Sequence, residues 1–207
     1  MSDLYKLHHL SRDIEEGGRT YTLLHDINFE VAKGEFISVV GPSGSGKSSL
    51  LYLLGFLDAP TKGQIFFEHK DMAHVSTEEL ARTRLEKIGF IFQFHFLLPE
   101  LSGFENIALP MRRLGIASQS EIKTKVMSIL EELDLLAETD KKPHQMSGGQ
   151  RQRIAIGRAL ANNPAAILAD EPTGNLDTKN GDRVFDIFKR LVKEHNQTII
   201  MVTHNTE

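Results

Sequence analysis

Residues 41–48 read GPSGSGKS and match the pattern G-x-x-x-x-G-K-[ST]. An apolar strand, EFISVV, runs directly into this segment and a helix, SSLLYLLGFL, follows it, which is the context that the pattern requires. Backbone N–H groups of such a loop and the helix N-terminus face phosphate groups, and Lys47 adds a full positive charge. The sequence therefore predicts a phosphate-binding loop made of Gly41, Pro42, Ser43, Gly44, Ser45, Gly46, Lys47, Ser48 and Ser49.

Two acids follow a second apolar strand, AAILAD, nearer the C-terminal end. Because the carboxyl ends of parallel strands meet at one sheet edge, we expect Asp170 and Glu171 beside the phosphate-binding loop. Asp170 and the Ser48 hydroxyl are predicted to hold Mg²⁺, and Glu171 is predicted to polarise the attacking water. A strand that ends in two solvated acids is the alternative, and the phosphate-binding loop weighs against it.

The other elements predict an α/β fold interrupted by a helical block. LLHDINFEV and QIFFE are expected to be strands, and EFISVV, being mostly apolar, is expected to be buried on both faces. Capping-box patterns at Ser76 and Ser118 predict the starts of two helices. AAILAD and QTIIMVTH are joined by an amphipathic helix around Val184, an arrangement that favours a parallel sheet.

Composition excludes several classes of partner. The formal net charge of −4 and pI near 6.1 leave no basic surface for nucleic acid, which is therefore not expected as a partner. No stretch approaches the roughly 20 consecutive apolar residues of a membrane span. Because the chain has no cysteine, it has no thiolate metal site, and its nine histidines show no ligand spacing.

Residues 146–150 read MSGGQ and resemble the LSGGQ signature of ABC ATPases, a motif that separates this family from other P-loop proteins. The resemblance covers essentially the whole chain. Gln93 resembles the Q-loop, the GNLD of residues 174–177 resembles the D-loop, and His204 resembles the switch histidine. Taken singly, each has a more common structural interpretation, so their order and spacing carry the resemblance.

The resemblance implies a P-loop NTPase core with a mainly parallel sheet, an N-terminal antiparallel β subdomain and an inserted helical subdomain. Residues 1–207 would form one ABC ATPase domain, with the ATP-binding core and β subdomain in 1–92 and 147–207 and the helical subdomain in 93–146. The family normally continues with further strands and a helix. The chain is therefore expected to be truncated beyond Glu207.

The resemblance also implies an ATP-hydrolysing transporter subunit that binds ATP and Mg²⁺. Two copies would sandwich two ATP molecules head to tail, with Asp177 acting across the interface. Arg151 and Arg153 are expected to be structural or solvated rather than catalytic. The remaining implied roles are catalysis by Lys47, Glu171 and His204, an Mg²⁺ shell of Ser48, Gln93 and Asp170, and contact with the partner-bound ATP through Ser147, Gly148, Gly149 and Gln150.

The segment FIFQFHFLLPELSGFENIALP is most similar to the lipoprotein-release and macrolide-export branch of the family. Its apolar residues between Phe94 and Glu100 are expected to dock a transmembrane permease, the alternative being that they are core of the helical block. Docking would hold the protein peripherally at the cytoplasmic face of the inner (plasma) membrane. The alternative function is an ATP-dependent regulatory or cell-division module that transports no substrate.

One position departs from the family pattern. Members usually stack adenine on an aromatic residue of the N-terminal loop, but Ile14 occupies the aligned position. Tyr21, seven residues later, is the alternative stacking residue, since an aliphatic side chain offers no π-face.

Overall fold

A computed structural model describes residues 3–115 and 117–204 of the chain. Its strands are β1 (Asp3–Glu16), β2 (Arg19–Ala32), β3 (Phe36–Val40), β4 (Lys62–Phe67), β5 (Lys70–Asp71), β6 (Ile88–Phe92), β7 (Ala166–Asp170) and β8 (Thr198–Thr203). Its α-helices are α1 (Lys47–Leu54), α2 (Thr77–Lys87), α3 (Gly103–Leu114), α4 (Gln119–Glu132), α5 (Gly148–Leu160) and α6 (Thr178–His195). Short 3₁₀ turns cover Met72–His74, Leu136–Glu138 and Pro143–Gln145.

A parallel sheet in the order β3-β8-β7-β6 forms the centre of the fold. The pairs Val40 with Thr203 and Phe92 with Asp170 show that all four strands end at one edge. The phosphate-binding loop leaves β3 at this edge, and Glu171 leaves β7 there. The predicted parallel sheet is confirmed, and it brings the phosphate-binding loop and the acids together.

Strand β3 corrects the prediction that EFISVV is buried on both faces. It lies at an edge of the sheet, and Phe36 and Val40 are 41% and 45% exposed. Within the described residues, β8 is the one strand that pairs with it. An apolar run predicts a strand that suits burial, but its actual burial depends on neighbours that the run itself does not encode.

The N-terminal sheet is antiparallel in the order β2-β1-β4-β5, as expected. Apolar residues of β1 and β4 form one hydrophobic cluster with the buried leucines of α1 and with Leu168 and Val202 of the parallel sheet. Within this cluster the Tyr5 hydroxyl donates a hydrogen bond to the Leu54 carbonyl oxygen at 3.0 Å. This packing supports the helix that follows the phosphate-binding loop.

A second hydrophobic cluster joins α3, α4 and α5 to the other face of the parallel sheet. The predicted helix at Ser118 has a complete capping box and buries its apolar stripe, including Ile122, Val126 and Ile129. At Ser76 the side chain accepts from the Glu79 N–H group, but the Glu79 carboxylate pairs with Lys70 instead of completing the box. The subdomain boundaries at residues 93 and 147 stay predictions. No helix in the described ranges combines the length and hydropathy that a membrane crossing requires.

Candidate active site

A cleft of about 530 Å³ opens at the carboxyl edge of the parallel sheet. It collects side chains from the phosphate-binding loop, from α1 and from the segments that follow β6, β7 and β8. Its lining residues are Leu23, Ser43, Gly44, Gly46, Lys47, Ser48, Ser49, Tyr52, Phe92, Gln93, Phe94, Phe96, Asp170, Glu171 and His204. Residues predicted from four separate motifs, namely the phosphate-binding loop, Gln93, the two acids after β7 and His204, therefore face one cavity.

The loop between β3 and α1 has the backbone that phosphate binding needs. Gly46 has φ +85°, and a Cβ atom there would lie 2.5 Å from the Leu23 carbonyl oxygen, so only glycine fits. No side chain caps α1, which leaves its first N–H groups available to an anion. Lys47 Nζ donates to the carbonyl oxygens of Gly41 and Pro42, each at 2.8 Å, and so stays at the loop.

Ser48 and Asp170 bring a hydroxyl and a carboxylate together in the cleft. The Ser48 hydroxyl donates to Asp170 Oδ1 at 3.1 Å. Burial raises the pKa of Asp170, and the negative charge of Glu171 adds to this, whereas Ser48 and Lys47 act in the opposite direction. A bound cation would relieve this unfavourable ionisation. A hydroxyl and one carboxylate suit Mg²⁺, which completes its shell with phosphate oxygens and water.

Glu171 is held by groups from the end of β8. Its backbone has φ +48°, and its N–H group donates to the Val202 carbonyl oxygen at 3.0 Å. His204 Nδ1 lies 2.9 Å from both carboxylate oxygens, and the Thr203 hydroxyl donates to Oε2 at 3.3 Å. A left-handed backbone is unusual for glutamate and is typical of functional sites. The carboxylate is therefore fixed at the cleft by its own backbone and two neighbouring side chains.

Gln93 joins the cleft to the segment that resembles the D-loop. Its Nε2 donates to Asn175 Oδ1 at 3.3 Å, and Asn175 Nδ2 donates to the Gln93 carbonyl oxygen at 3.1 Å. A Cβ atom on Gly174 would lie 2.9 Å from Gln93 Nε2, so a side chain there would push Gln93 aside. The contact accounts for a glycine before Asn175 and ties two motifs 82 residues apart.

The MSGGQ residues lie outside the cleft of their own chain. Ser147 caps α5 with a reciprocal pair, in which the Gln150 N–H donates to Ser147 Oγ at 3.3 Å and the Ser147 N–H donates to Gln150 Oε1 at 2.7 Å. Asp177 caps α6 by accepting from the Asn180 N–H at 2.9 Å. A Cβ atom on Gly149 would meet Asn180 Oδ1 at 2.3 Å, so the starts of α5 and α6 touch.

Neither of the two candidate adenine contacts is among the residues that line the cleft. Ile14 and Tyr21 pair across the β1–β2 hairpin, and neither lines the cavity. Leu23, Tyr52 and Phe92 do line it, and none of the three was predicted as a site residue. Tyr52 lies one helical turn after Ser48, a spacing that could have identified it. Adenine contact by Ile14 or Tyr21 stays a prediction, and Tyr52 is a competing candidate among the aromatic residues that line the cavity.

Some residues of the apolar segment after Gln93 fit the predicted docking surface, and others fit the alternative that they are core of the helical block. Phe94 and Phe96 are 63% and 64% exposed, as a docking surface requires. Leu97 instead packs partly buried against the cluster around α3, α4 and α5, as a core residue does. Arg151 and Arg153 donate to the carbonyl oxygens of Met146 and Leu133 respectively, which agrees with the structural role expected for them.

Comparisons with known proteins agree with this geometry. A family model described as ABC transporter matches residues 24–174. The chain is 46% identical over 203 residues to the lipoprotein-releasing system ATP-binding protein LolD 1 of Chlorobium chlorochromatii, covering 98% of this chain and 82% of the relative. Identity to LolD of Aquifex aeolicus is 48% over 197 residues, covering 95% and 87%. A dimeric ATP-binding cassette, MJ0796, in a post-hydrolysis state bound to ADP and Pi matches with a TM-score of 0.89 and 39% identity, covering 97% of this chain and 88% of that one.

Proposed function

The chain belongs to the ABC transporter family, in which it is an ATP-hydrolysing subunit, and we propose that two copies close head to tail on ATP to drive a lipoprotein-releasing permease. One observation carries the proposal: the cleft holds the phosphate-binding loop and Glu171, whereas Ser147 and its helix start lie outside it. Each surface is half of a nucleotide site. A second copy, turned so that its signature faces the cleft, supplies the other half.

The cleft residues have separable roles in hydrolysis. The free N–H groups at the start of α1 bind the phosphates, and Lys47 exchanges its two loop carbonyls for phosphate oxygens. Ser48 and Asp170, assisted by Gln93, would hold Mg²⁺, which neutralises charge on the phosphate oxygens. Glu171 orients the attacking water, since phosphoryl transfer depends mainly on positioning and electrostatic stabilisation.

Thr203 and His204 keep the Glu171 carboxylate in place while water binds. The ring of His204 is exposed at the rim of the cleft and would also reach the γ-phosphate. A fixed carboxylate needs no reorganisation at the moment of reaction, which is the main electrostatic advantage of an active site. Lys47, Glu171 and His204 are therefore the proposed catalytic residues.

The signature surface suits a γ-phosphate bound by the partner. Ser147 Oγ accepts from the Gln150 N–H, so its own hydroxyl hydrogen is free to donate to a phosphate oxygen. Gly148 and Gly149 present backbone N–H groups at the positive end of α5. Asp177 would lie at the same interface, because Asn180 joins its carboxylate to the start of α5.

The exposed rings of Phe94 and Phe96, and Leu98 beside them, are the proposed docking surface for a transmembrane permease. They directly follow Gln93, so a change in the cleft reaches the docked subunit through one short segment. This arrangement would hold the protein peripherally at the cytoplasmic face of the inner membrane. The names of the relatives favour transport over the regulatory or cell-division alternative.

Complementation between two inactive variants tests the head-to-tail arrangement. Lys47→Ala disables the cleft of one chain, and Ser147→Arg disables the signature of the other. Mixed dimers contain one complete site, so a 1:1 mixture should hydrolyse ATP faster than the sum of its parts, up to about a quarter of the parental rate if dimers form at random.

A chain carrying both substitutions is the matched control. It forms no complete site with either single variant and should add no activity. If the two single variants are folded and their mixture hydrolyses ATP no faster than the separate chains, the composite site is wrong.

A further inference from the structure

We propose that Arg158 is a positioning residue that fastens the segment after Gln93 to the signature helix α5, so that the cleft and the partner-facing signature move together. The inference rests on the proposed function and deepens it by naming how one chain couples its two half-sites. The segment itself has no helix or strand between Gln93 and Glu100, so side chains from elsewhere must hold it.

Arg158 holds this segment with both branches of its guanidinium group. Nη2 donates to the His95 carbonyl oxygen at 2.8 Å, and Nη1 donates to the Phe96 carbonyl oxygen at 2.5 Å. Because the guanidinium group is planar and binds two carbonyl groups at once, it fixes both the position and the orientation of the backbone at residues 95 and 96. On the other side, the buried Asn106 of α3 binds the backbone of Leu98 through both ends of its amide. The segment is therefore held between α5 and α3.

Burying the charged guanidinium group of Arg158 is energetically unfavourable, so simple packing does not explain an arginine here. Burial lowers its pKa. Within the described ranges, no carboxylate lies within 4.0 Å of its guanidinium group, so no counter-ion offsets the desolvation. The two carbonyl dipoles are the partners that the structure gives it. An apolar side chain would fill the same space without the desolvation penalty. We therefore attribute the presence of an arginine to the two carbonyl groups that it binds.

The backbone of Phe96 shows what the clamp holds in place. Its φ is +46°, a left-handed conformation that is rare for a bulky residue. Such strain persists only where the surroundings over-determine it. This conformation turns the carbonyl toward Arg158 and leaves the ring exposed beside Phe94, with ring centroids 6.4 Å apart. Without Arg158 the backbone would be free to relax and both rings would move.

The same segment also reaches the other end of α5. Burial is the first cause of the lowered pKa of His95 and the charge of Arg151 is the second, while the nearby Gly148 backbone opposes them. The His95 ring therefore lies near Gly148 at the start of α5, while its carbonyl group binds Arg158 at the other end of the helix. Because α5 is a continuous helix from Gly148 to Leu160, a shift of Gln93 is passed to the signature as movement of a rigid element.

The test compares Arg158→Gln and Arg158→Lys in a Glu171→Gln chain. Arg190→Gln is the matched control, because Arg190 also donates to a backbone carbonyl, that of Glu132, but lies far from Gln93 in the chain. We expect Arg158→Gln to bind a fluorescent ATP analogue as a monomer within twofold of its parent. Its ATP-dependent dimerisation should need at least tenfold more protein, with Arg158→Lys in between and Arg190→Gln unchanged.

Hydrogen exchange separates this inference from the proposed function. The Leu98 amide, which donates to Asn106 Oδ1 at 2.9 Å, should exchange at least tenfold faster in Arg158→Gln, whether or not the parent dimerises, and no faster in Arg190→Gln. If the Glu171→Gln parent stays monomeric with ATP, the proposed function fails while exchange still reports on the clamp. A Leu98 amide that exchanges in Arg158→Gln at the parental rate, or an equal loss of dimer in Arg190→Gln, would overturn the inference. Should Arg158→Gln not fold, Arg158→Lys gives the same comparison, because it keeps the charge and replaces the two-nitrogen fork with a single donor nitrogen.

Discussion

Adding one methyl group at Gly149 should destabilise the protein, whereas the same change at Gly148 should not. A Cβ atom on Gly149 would lie 2.3 Å from Asn180 Oδ1 and 3.1 Å from Asn180 Cβ, so moving the tip of the asparagine is not enough. The start of α6 has to shift. A Cβ atom on Gly148 would meet only Leu176, at an ordinary 3.8 Å.

The expected magnitude follows from overpacking. Forcing an extra carbon into a packed contact costs about 1–3 kcal/mol, so Gly149→Ala should lose that much free energy of unfolding. For a chain of this length, each kcal/mol lowers Tm by about 2–4 °C. Gly148→Ala should be neutral or gain up to about 1 kcal/mol, since alanine restricts the unfolded chain more than glycine does.

Urea unfolding without nucleotide measures this effect apart from ATP binding. Adding Asn180→Ala to the Gly149→Ala chain should recover part of the loss, because the obstructing side chain is gone, and a double-mutant cycle quantifies the coupling. If the free energy of unfolding of Gly149→Ala lies within about 0.5 kcal/mol of the parent, the usual range for a surface substitution, the contact between the starts of α5 and α6 is refuted.

Three further predictions concern the cleft. Thr203→Val removes the hydroxyl that positions Glu171 and should lower kcat by roughly five- to tenfold at unchanged KM, while Thr203→Ser keeps most of the rate; steady-state hydrolysis checks this. In a fluorescence titration, Tyr52→Ala should weaken ATP binding by about fivefold or more and Tyr21→Ala by less than about twofold. A larger loss of affinity in Tyr21→Ala than in Tyr52→Ala would instead support Tyr21 as the adenine contact. Because folding raises the pKa of Asp170, ionisation of this carboxyl group destabilises the folded state as the pH rises above its ordinary pKa of 3.8. Asp170→Asn should therefore stabilise the nucleotide-free protein at pH 7, and this gain should disappear toward pH 3.5. Urea unfolding across that pH range measures the difference.

The sequence predicted those parts of the site that depend on local chemistry. The phosphate-binding loop, the acids after β7 and the helix start at Ser147 are each encoded within about ten residues, because backbone conformation and helix capping are local properties. The parallel sheet followed from the strand–helix–strand order and the handedness of such connections. Together these place the predicted phosphate, metal and water-activating groups in one cleft.

Long-range contacts were beyond the sequence interpretation. Burial of β3 was predicted wrongly, since an apolar composition does not reveal which strands lie beside it. The bonds from Gln93 to Asn175 and from Arg158 to Phe96 join residues 82 and 62 positions apart, and no periodicity links them. Arg158 in particular lies on an amphipathic helix, where an arginine normally indicates solvent exposure.

These long-range contacts would let each chain of the proposed dimer pass a displacement of Gln93 to its signature helix. Gln93 touches Asn175 of the segment leading into α6, and Asn180 of α6 packs against Gly149 of the signature. Through Arg158, the segment after Gln93 also holds the other end of α5. The signature helix is therefore tied to Gln93 at both ends, and a ligand that displaces Gln93 cannot leave α5 unmoved. Because the same segment carries the exposed rings of Phe94 and Phe96, the proposed coupling would also connect occupancy of the cleft to the proposed docking surface.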